Sequence, residues 1–203
     1  MLTFKQYLIE AVKEGKNLHL EHLEDEVLNH GIDGTRAAIN FLQSLRDMLA
    51  GNAKKSVNVS VKWDGAPAIF AGINPENDKF FVGTKGVFNV NPKVNYTDAD
   101  IDKNHSAAGL NEKLKVALKH LPKLGITNVL QGDMLFTDND FKTETIDDKS
   151  YITFTPNTIT YAIPKESSHK ITKAKMGIVW HTTYSGEKLE DMRASFGANI
   201  GGL

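Results

Sequence analysis

The spacing of apolar residues changes near residue 52, and this change constrains the fold more than any other feature of the sequence. Between residues 39 and 49, apolar side chains recur every three or four positions, whereas between residues 57 and 63 they alternate with polar ones. The first spacing is typical of an amphipathic helix and the second of a half-buried strand. The sequence therefore predicts an α+β fold, in which a helical region (residues 1–52) packs on a mostly antiparallel, sheet-rich core (residues 53–203).

The helical region is predicted to contain three helices. The second covers residues 20–30, and Asp33 or Thr35 is suited to cap the third. Three glycines are suited to end these helices: Gly15, Gly31 and Gly51. No linker divides the chain, so we expect one domain of 203 residues, which is either complete or part of a longer protein.

The sheet-rich region is predicted from alternating or continuous apolar runs bounded by turn residues. Beyond the strand at residues 57–63, strands are expected at residues 68–72, 79–84, 128–136, 151–155, 158–163 and 177–184. Residues 89–106 are rich in Asn, Asp and Pro, which predicts a long loop. Helices are expected at residues 110–121, where Pro122 and Gly125 end the helix, and at residues 188–196.

Composition excludes several classes of protein. The chain has no cysteine, which excludes disulfide scaffolds, zinc knuckles and cysteine nucleophiles. Its net charge of -1 excludes a wholly basic nucleic-acid binder but permits a local basic groove. No apolar run is long enough to span a membrane, and the charged N-terminus is unlike a signal peptide. We therefore expect a cytoplasmic protein with no membrane partner.

The most informative segment is SVKWDGAPAIFAG, at residues 60–72. It places Lys62 near the end of an alternating strand and follows it with Asp64 and Gly65. A lysine amine attacks phosphorus only when it is deprotonated, and desolvation or nearby positive charge lowers its pKa. Gly65 allows a close backbone approach to a bound nucleotide, and Asp64 is suited to orient the lysine or a metal-bound phosphate.

The K-x-D-G pattern of this segment resembles the nucleophile motif of the covalent nucleotidyltransferases, which include DNA ligases, RNA ligases and mRNA capping enzymes. The resemblance implies an ATP-grasp-like nucleotidyltransferase architecture. It also implies that Lys62 forms a lysyl-AMP intermediate from ATP with Mg²⁺ or Mn²⁺. The acceptor would be a polynucleotide 5′-phosphate, with RNA slightly favoured over DNA.

Three later segments resemble further elements of this superfamily in order and approximate spacing. Lys85 in FVGTKGVF corresponds to a basic residue that contacts the ribose or phosphates, and Asp133 in VLQGDMLF to a metal or ribose contact. Tyr161 is the first candidate and Phe154 the second for stacking on the base. The resemblance thus adds these residues to Lys62, Asp64 and Gly65 as candidates for the site.

The final strand departs from the ligase pattern. Met176 occupies the position of a metal-binding Glu, and His181 that of a basic residue, so His181 is a further nucleotide-binding candidate. Lys173 and Lys175 precede this strand, and no K-x-K follows it. These elements are either replaced here or lie beyond Leu203.

The whole sequence further resembles a family of proteins encoded by tailed phages. The resemblance is carried by the segments HLEDEVLN, VKWDGAPAIFAG, GIVWHTTY and LEDMRASFG. It implies a location in the infected host cell.

Two other functions remain open. A non-catalytic module that binds nucleotide or nucleic acid on a decayed nucleotidyltransferase fold would explain the departures in the last strand. A kinase-like phosphotransferase is suggested by VSVK at residues 59–62, with Asp133 and Asn139 downstream, but no glycine-rich loop precedes it. Each candidate residue also has a structural alternative, such as a solvated lysine or a core aromatic ring. The sequence gives no indication of oligomeric state.

Overall fold

A computed structural model of the protein describes residues 23–52 and 63–198. The chain divides into two compact units: the first is residues 17–62, and the second is residues 1–16 together with residues 63–203. Lys62 and most of the strand predicted at residues 57–63 lie outside the described residues. So does the first predicted helix.

In residues 23–52, the described part of the first unit, the chain forms one helical element, α1 (Leu23–Leu49). Gly31 interrupts it with φ 54° and ψ -127°, so the predicted helix end at Gly31 is confirmed. Three acidic residues in the first turn favour the positive end of the helix dipole: Glu24, Asp25 and Glu26. A Cβ at Gly34 would overlap the Glu26 carbonyl oxygen, so the helical segments on either side of Gly31 approach closely there.

Residues 63–198 of the second unit form two antiparallel sheets. The larger has the order β2-β1-β3-β7-β8 and the smaller β4-β5-β6. The larger sheet is built from β1 (Ala68–Asn74), β2 (Lys79–Gly83), β3 (Val129–Thr137), β7 (Met176–Ser185) and β8 (Arg193–Phe196). The smaller sheet is built from β4 (Lys142–Ile146), β5 (Lys149–Phe154) and β6 (Tyr161–Pro164). The α+β class and the antiparallel pairing predicted from the sequence are confirmed.

The two α-helices that the structure describes in the second unit share a hydrophobic core with one face of the larger sheet. These helices are α2 (Asp98–Asn104) and α3 (Ala108–His120). Leu114 of α3 and Met134 of β3 are fully buried in this core, which also contains Ile69 of β1. The opposite face of the sheet carries Phe70, because residues of a strand point alternately to the two faces.

Several predicted elements match the structure closely. The β1–β2 hairpin turns at residues 74–78, as the Asn-Pro-Glu-Asn-Asp sequence predicted. The helix predicted at residues 110–121 is α3, which passes into a short 3₁₀ turn and ends at Gly125 with φ 68°. The strands predicted around residues 128–136 and 177–184 are β3 and β7.

The structure differs from the sequence predictions at three elements. The loop predicted at residues 89–106 contains α2, whose first turn is closed by a reciprocal capping box between Thr97 and Asp100. Strand β4 was not predicted, because all five of its residues are exposed and carry no apolar alternation. The helix predicted at residues 188–196 is wrong: a 3₁₀ turn is followed by β8, which pairs with β7.

No helix in the described part of the chain is long and apolar enough to cross a membrane.

The core of the second unit can be tested with two leucines. Leu114→Ala removes a fully buried side chain, so we expect the free energy of unfolding to fall by about 3 kcal/mol. Leu124→Ala is the matched control, because Leu124 is 39% exposed, and it should lower this free energy by less than about 1 kcal/mol. Urea denaturation of both variants measures the difference, and equal losses would contradict this description of the core.

Candidate functional site

The described part of the candidate site begins at Trp63, directly after Lys62 in the sequence. Because Lys62 lies outside the described residues, its role as a nucleophile stays a prediction. Asp64 and Gly65 follow, and the chain then enters β1 through a cis peptide bond between Ala66 and Pro67.

The Asp64 backbone and side chain are both held by the segment that leads into β6. The backbone N–H of Asp64 donates to Tyr161 Oη (3.0 Å), and this hydroxyl donates to the Asp64 carbonyl oxygen (3.3 Å). The carboxylate accepts from Asn157 Nδ2 (2.9 Å) and from the Thr158 N–H (3.2 Å). Asp64 is therefore fixed in place by this segment, and contact with a nucleotide remains a prediction for it.

Gly65 lies directly against β3. A Cβ at this position would be 2.8 Å from the Asp133 Cβ and 2.9 Å from the Met134 carbonyl oxygen. Both distances are shorter than a Cβ normally tolerates, so β3 requires glycine here. The Met134 N–H also donates to the Pro67 carbonyl oxygen (3.1 Å), which holds the following residues against the same strand.

Asp133 is the one incompletely buried residue of β3. It lies opposite Ala68 of β1 and Val179 of β7, and its side chain retains 22% exposure. Its Oδ2 lies 3.7 Å from His181 Nε2, the one ion-pairing partner that the described part of the chain offers it. The carboxylate is therefore accessible to a ligand from one side of the sheet.

His181 reaches Asp133 because β7 contains a bulge. Gln131 pairs with Thr182 and Gly132 with Trp180, which leaves His181 as the extra residue between the two pairs. A bulge reorients a side chain in this way. His181 Nδ1 lies 2.8 Å from Thr182 Oγ1, so the ring is held by a hydrogen bond at this nitrogen while Nε2 faces Asp133.

The face of the sheet around Asp133 becomes apolar toward β2. Gln131, two residues from Asp133 on the same face, accepts a hydrogen bond from Tyr184 Oη (2.7 Å). Burial raises the pKa of Tyr184 to about 12, so this hydroxyl remains protonated at neutral pH. The Tyr184 ring packs against Phe70 and Phe88, with centroids 5.6 and 4.9 Å away.

Lys85 begins a turn whose last residue packs on this face of the sheet. Lys85 itself is exposed, and this 3₁₀ turn ends at Phe88, whose ring packs on Phe70 (5.3 Å). Thr84 caps the turn by accepting from the Gly86 N–H (3.4 Å). No contact joins Lys85 to Asp133 in the described residues, so its contact with phosphates remains a prediction.

Tyr161 and Phe154 differ in how deeply each ring is buried. Phe154 is 4% exposed and packs against Phe136 and Phe141, which favours a core role over stacking on a base. Tyr161 is partly buried, stacks on Phe154 with 5.3 Å between centroids and contacts Trp63 at 5.3 Å. The exposed end of this row of rings is Trp63, at 40% exposure.

A comparison with known families identifies the chain at the level of its family. The model of one family matches residues 17–202. The chain belongs to DUF6267, a family of unknown function. The match of this DUF6267 chain covers both the α1 region and the two sheets. No curated protein and no solved structure matches it.

The fold of the DUF6267 chain brings Asp64, Gly65, Asp133 and Tyr161 together at the start of β1, with His181 beside Asp133. Among the residues that the structure describes, no three His, Asp or Glu side chains converge to hold a metal ion.

Sequence reasoning missed the anchoring of Asp64 by Asn157, for which the sequence carries no signal. It also missed Trp63, although a tryptophan inside the K-x-D-G motif could have indicated an aromatic contact.

The close approach at Gly65 gives a direct test of this arrangement. Gly65→Ala forces a methyl group against Asp133 and Met134, so we expect the free energy of unfolding to fall by about 1 to 3 kcal/mol. Gly109→Ala is the matched control: a Cβ there has nothing within 4 Å and lies in the first turn of α3, where Ala is favoured. Denaturant titration compares them, and an unchanged Gly65→Ala variant would contradict the contact.

Proposed function

We propose that this protein is a ligase-like nucleotidyltransferase that forms a lysyl-AMP intermediate on Lys62 from ATP and transfers the AMP to a polynucleotide 5′-phosphate. One observation carries the proposal. Gly65, of the K-x-D-G segment, lies against Asp133, of the Gly-Asp segment, although the two are 68 positions apart in the sequence. Two segments that resemble elements of one nucleotide site therefore meet in space.

The proposed architecture is that of a nucleotidyltransferase catalytic domain. It is supported by the antiparallel sheet in which β1, after the K-x-D-G segment, pairs with β3, which carries Asp133. Ala68 lies opposite Asp133, so the chain that follows Asp64 and Gly65 enters the sheet beside the carboxylate. His181, from β7, borders the carboxylate on its other side.

The proposed reaction has two steps, formation of lysyl-AMP and transfer of the AMP to the acceptor. In the first, the neutral Nζ of Lys62 attacks the α-phosphorus of ATP. The N–P bond forms as the bond to the oxygen bridging to the β-phosphate breaks, pyrophosphate leaves with the electron pair, and the nitrogen gives up a proton to solvent. In the second, an oxygen of the acceptor 5′-phosphate attacks the same phosphorus, the N–P bond breaks, and Lys62 regains a proton.

The donor set at Asp133 fits a magnesium ion. Mg²⁺ is usually held by one or two carboxylates together with substrate phosphates, and Asp133 offers one partly exposed carboxylate. Such an ion, or Mn²⁺, would neutralise charge on the triphosphate. Asp133 is the residue that would hold it, while the Asp64 carboxylate is engaged by Asn157 and Thr158.

A non-catalytic nucleotide-binding or nucleic-acid-binding module is the second candidate function. The observation that favours it is the set of side chains around Asp133. The basic side chain beside Asp133 in the described residues is His181, and no cluster of three metal-ligating side chains occurs among these residues. Met176, where ligases carry Glu, agrees with this alternative. A protein of this kind would bind nucleotide without forming a covalent bond to it.

Labelling of the protein by ATP distinguishes the two functions. With ATP labelled at the α-phosphate and Mg²⁺ or Mn²⁺, we expect an acid-labile label that remains on the protein in a denaturing gel. Lys62→Arg should abolish the label, because a guanidinium remains protonated and is not a nucleophile. Lys79→Arg, on an exposed lysine of β2, is the matched control and should retain it.

Three outcomes of this assay decide against the leading proposal. A label that survives Lys62→Arg would place the covalent bond elsewhere. Nucleotide binding without any label would support the non-catalytic module. A label that appears only from the γ-phosphate would support the kinase-like alternative.

The contribution of Asp133 is tested by its two conservative variants. Asp133→Asn removes the charge, and we expect the rate constant of labelling to fall on the order of 100-fold, which corresponds to about 2.7 kcal/mol of transition-state stabilisation. Asp133→Glu should recover most of that rate, because the superfamily more often carries Glu at this position. Quench-flow labelling at saturating ATP measures both. Equal rates for Asp133→Asn and wild type would exclude a catalytic role for Asp133.

A further inference from the structure

Trp63 is the surface end of a continuous row of aromatic rings that begins in the hydrophobic core. The rings of Phe136 and Phe154 lie 5.0 Å apart, and those of Phe154 and Tyr161 lie 5.3 Å apart in a nearly parallel stack (20°). Tyr161 and Trp63 continue the row at 5.3 Å with a 34° tilt. The row connects the buried interior to a ring beside Lys62 in the sequence.

The backbone next to Trp63 is held as firmly as its ring. Tyr161 Oη bonds both the N–H and the carbonyl oxygen of Asp64, and Asn157 and Thr158 hold the Asp64 carboxylate. A side chain fixed in this way loses little conformational freedom when a ligand binds to it. Such preorganisation lowers the entropic cost of binding.

Trp63 nevertheless remains 40% exposed. The other large apolar side chains that are exposed among described residues of the second unit are aliphatic: Val90, Leu124, Ile146 and Ile159. A flat, rigid and exposed indole is well suited to stack on a nucleobase, because every base presents a π-face. Tyr161, by contrast, is committed to the protein through its two ring contacts and its hydroxyl.

We propose that Trp63 is the ring on which a nucleobase stacks at this site. The identity of the ligand rests on the proposed function, which requires a nucleotide beside the K-x-D-G segment. The base can belong to the mononucleotide or to the unpaired end of the acceptor strand, and both present the same chemistry to the indole. Trp63 thus takes the stacking role that the sequence assigned first to Tyr161.

The test uses the intrinsic fluorescence of the full chain. The protein has two tryptophans, and the second, Trp180, packs with the core on the helix side of the sheet. In a Trp180→Phe variant the emission comes from Trp63 alone. Titration with ATP, or with a 5′-phosphorylated single-stranded RNA, should quench this emission, and the ligand that does so identifies the source of the base. Inorganic triphosphate, which has no base, should leave the emission unchanged.

Two substitutions measure the contribution of the stack. Trp63→Leu should weaken binding of the quenching ligand about tenfold in calorimetry, which corresponds to about 1.4 kcal/mol, within the range measured for base stacking. Trp63→Phe keeps a ring and should retain most of the affinity. Circular dichroism and the thermal midpoint show whether Trp63→Leu is folded, and the quench in Trp180→Phe decides the question if it is not.

The outcomes separate this inference from the proposed function. Binding of ATP or RNA without any change in Trp63 emission, or with equal affinity in Trp63→Leu, would overturn the stacking role even if Lys62 becomes labelled. Quenching without labelling of Lys62 would overturn the ligase proposal and leave the stacking role supported. Absence of binding by both ligands would overturn the two together.

Discussion

Strand β3 is the constraint on which the rest of the second unit depends. Eight of its nine residues are buried, because the strand pairs with β1 on one edge and β7 on the other and is covered on both faces. A polar side chain is costly in such a position unless it has a partner or a function. Asp133 is the one residue of β3 that is not fully buried, so the candidate site lies where the packing of the strand opens toward solvent.

The parts of the fold that could be predicted are those with strong local signals. The β1–β2 hairpin has two apolar runs around a turn-forming sequence, and α3 has an apolar stripe that stops before Pro122. The missed elements lack such signals. Helix α2 buries only Ile101, and its capping box uses Asp in place of the more usual Glu or Gln. Strand β8 exists because the edge of β7 is available for pairing, which is a tertiary property that residues 188–196 do not encode locally.

The sequence could predict which residues lie together at the candidate site, but not what each of them does there. Motif spacing indicated Asp64, Gly65 and Asp133, and these residues do lie together. The sequence could not show that the Asp64 carboxylate is used to anchor its own segment, because Asn157 lies 93 positions away. Exposure likewise depends on tertiary packing, so Tyr161 and Trp63 could not be ranked from residue type alone. The role of Lys62 as a nucleophile, which the sequence ranked first, remains a prediction.

The hydrogen bonds between Asp64 and Tyr161 also have a consequence for biosynthesis. The two residues are 97 positions apart, so the K-x-D-G segment cannot be locked against its partner until β6 has been synthesised and has paired with β5. Contacts across so long a loop form late, after local helices and hairpins. A nascent chain on the ribosome would therefore carry Asp64 without these two hydrogen bonds until Tyr161 has been synthesised.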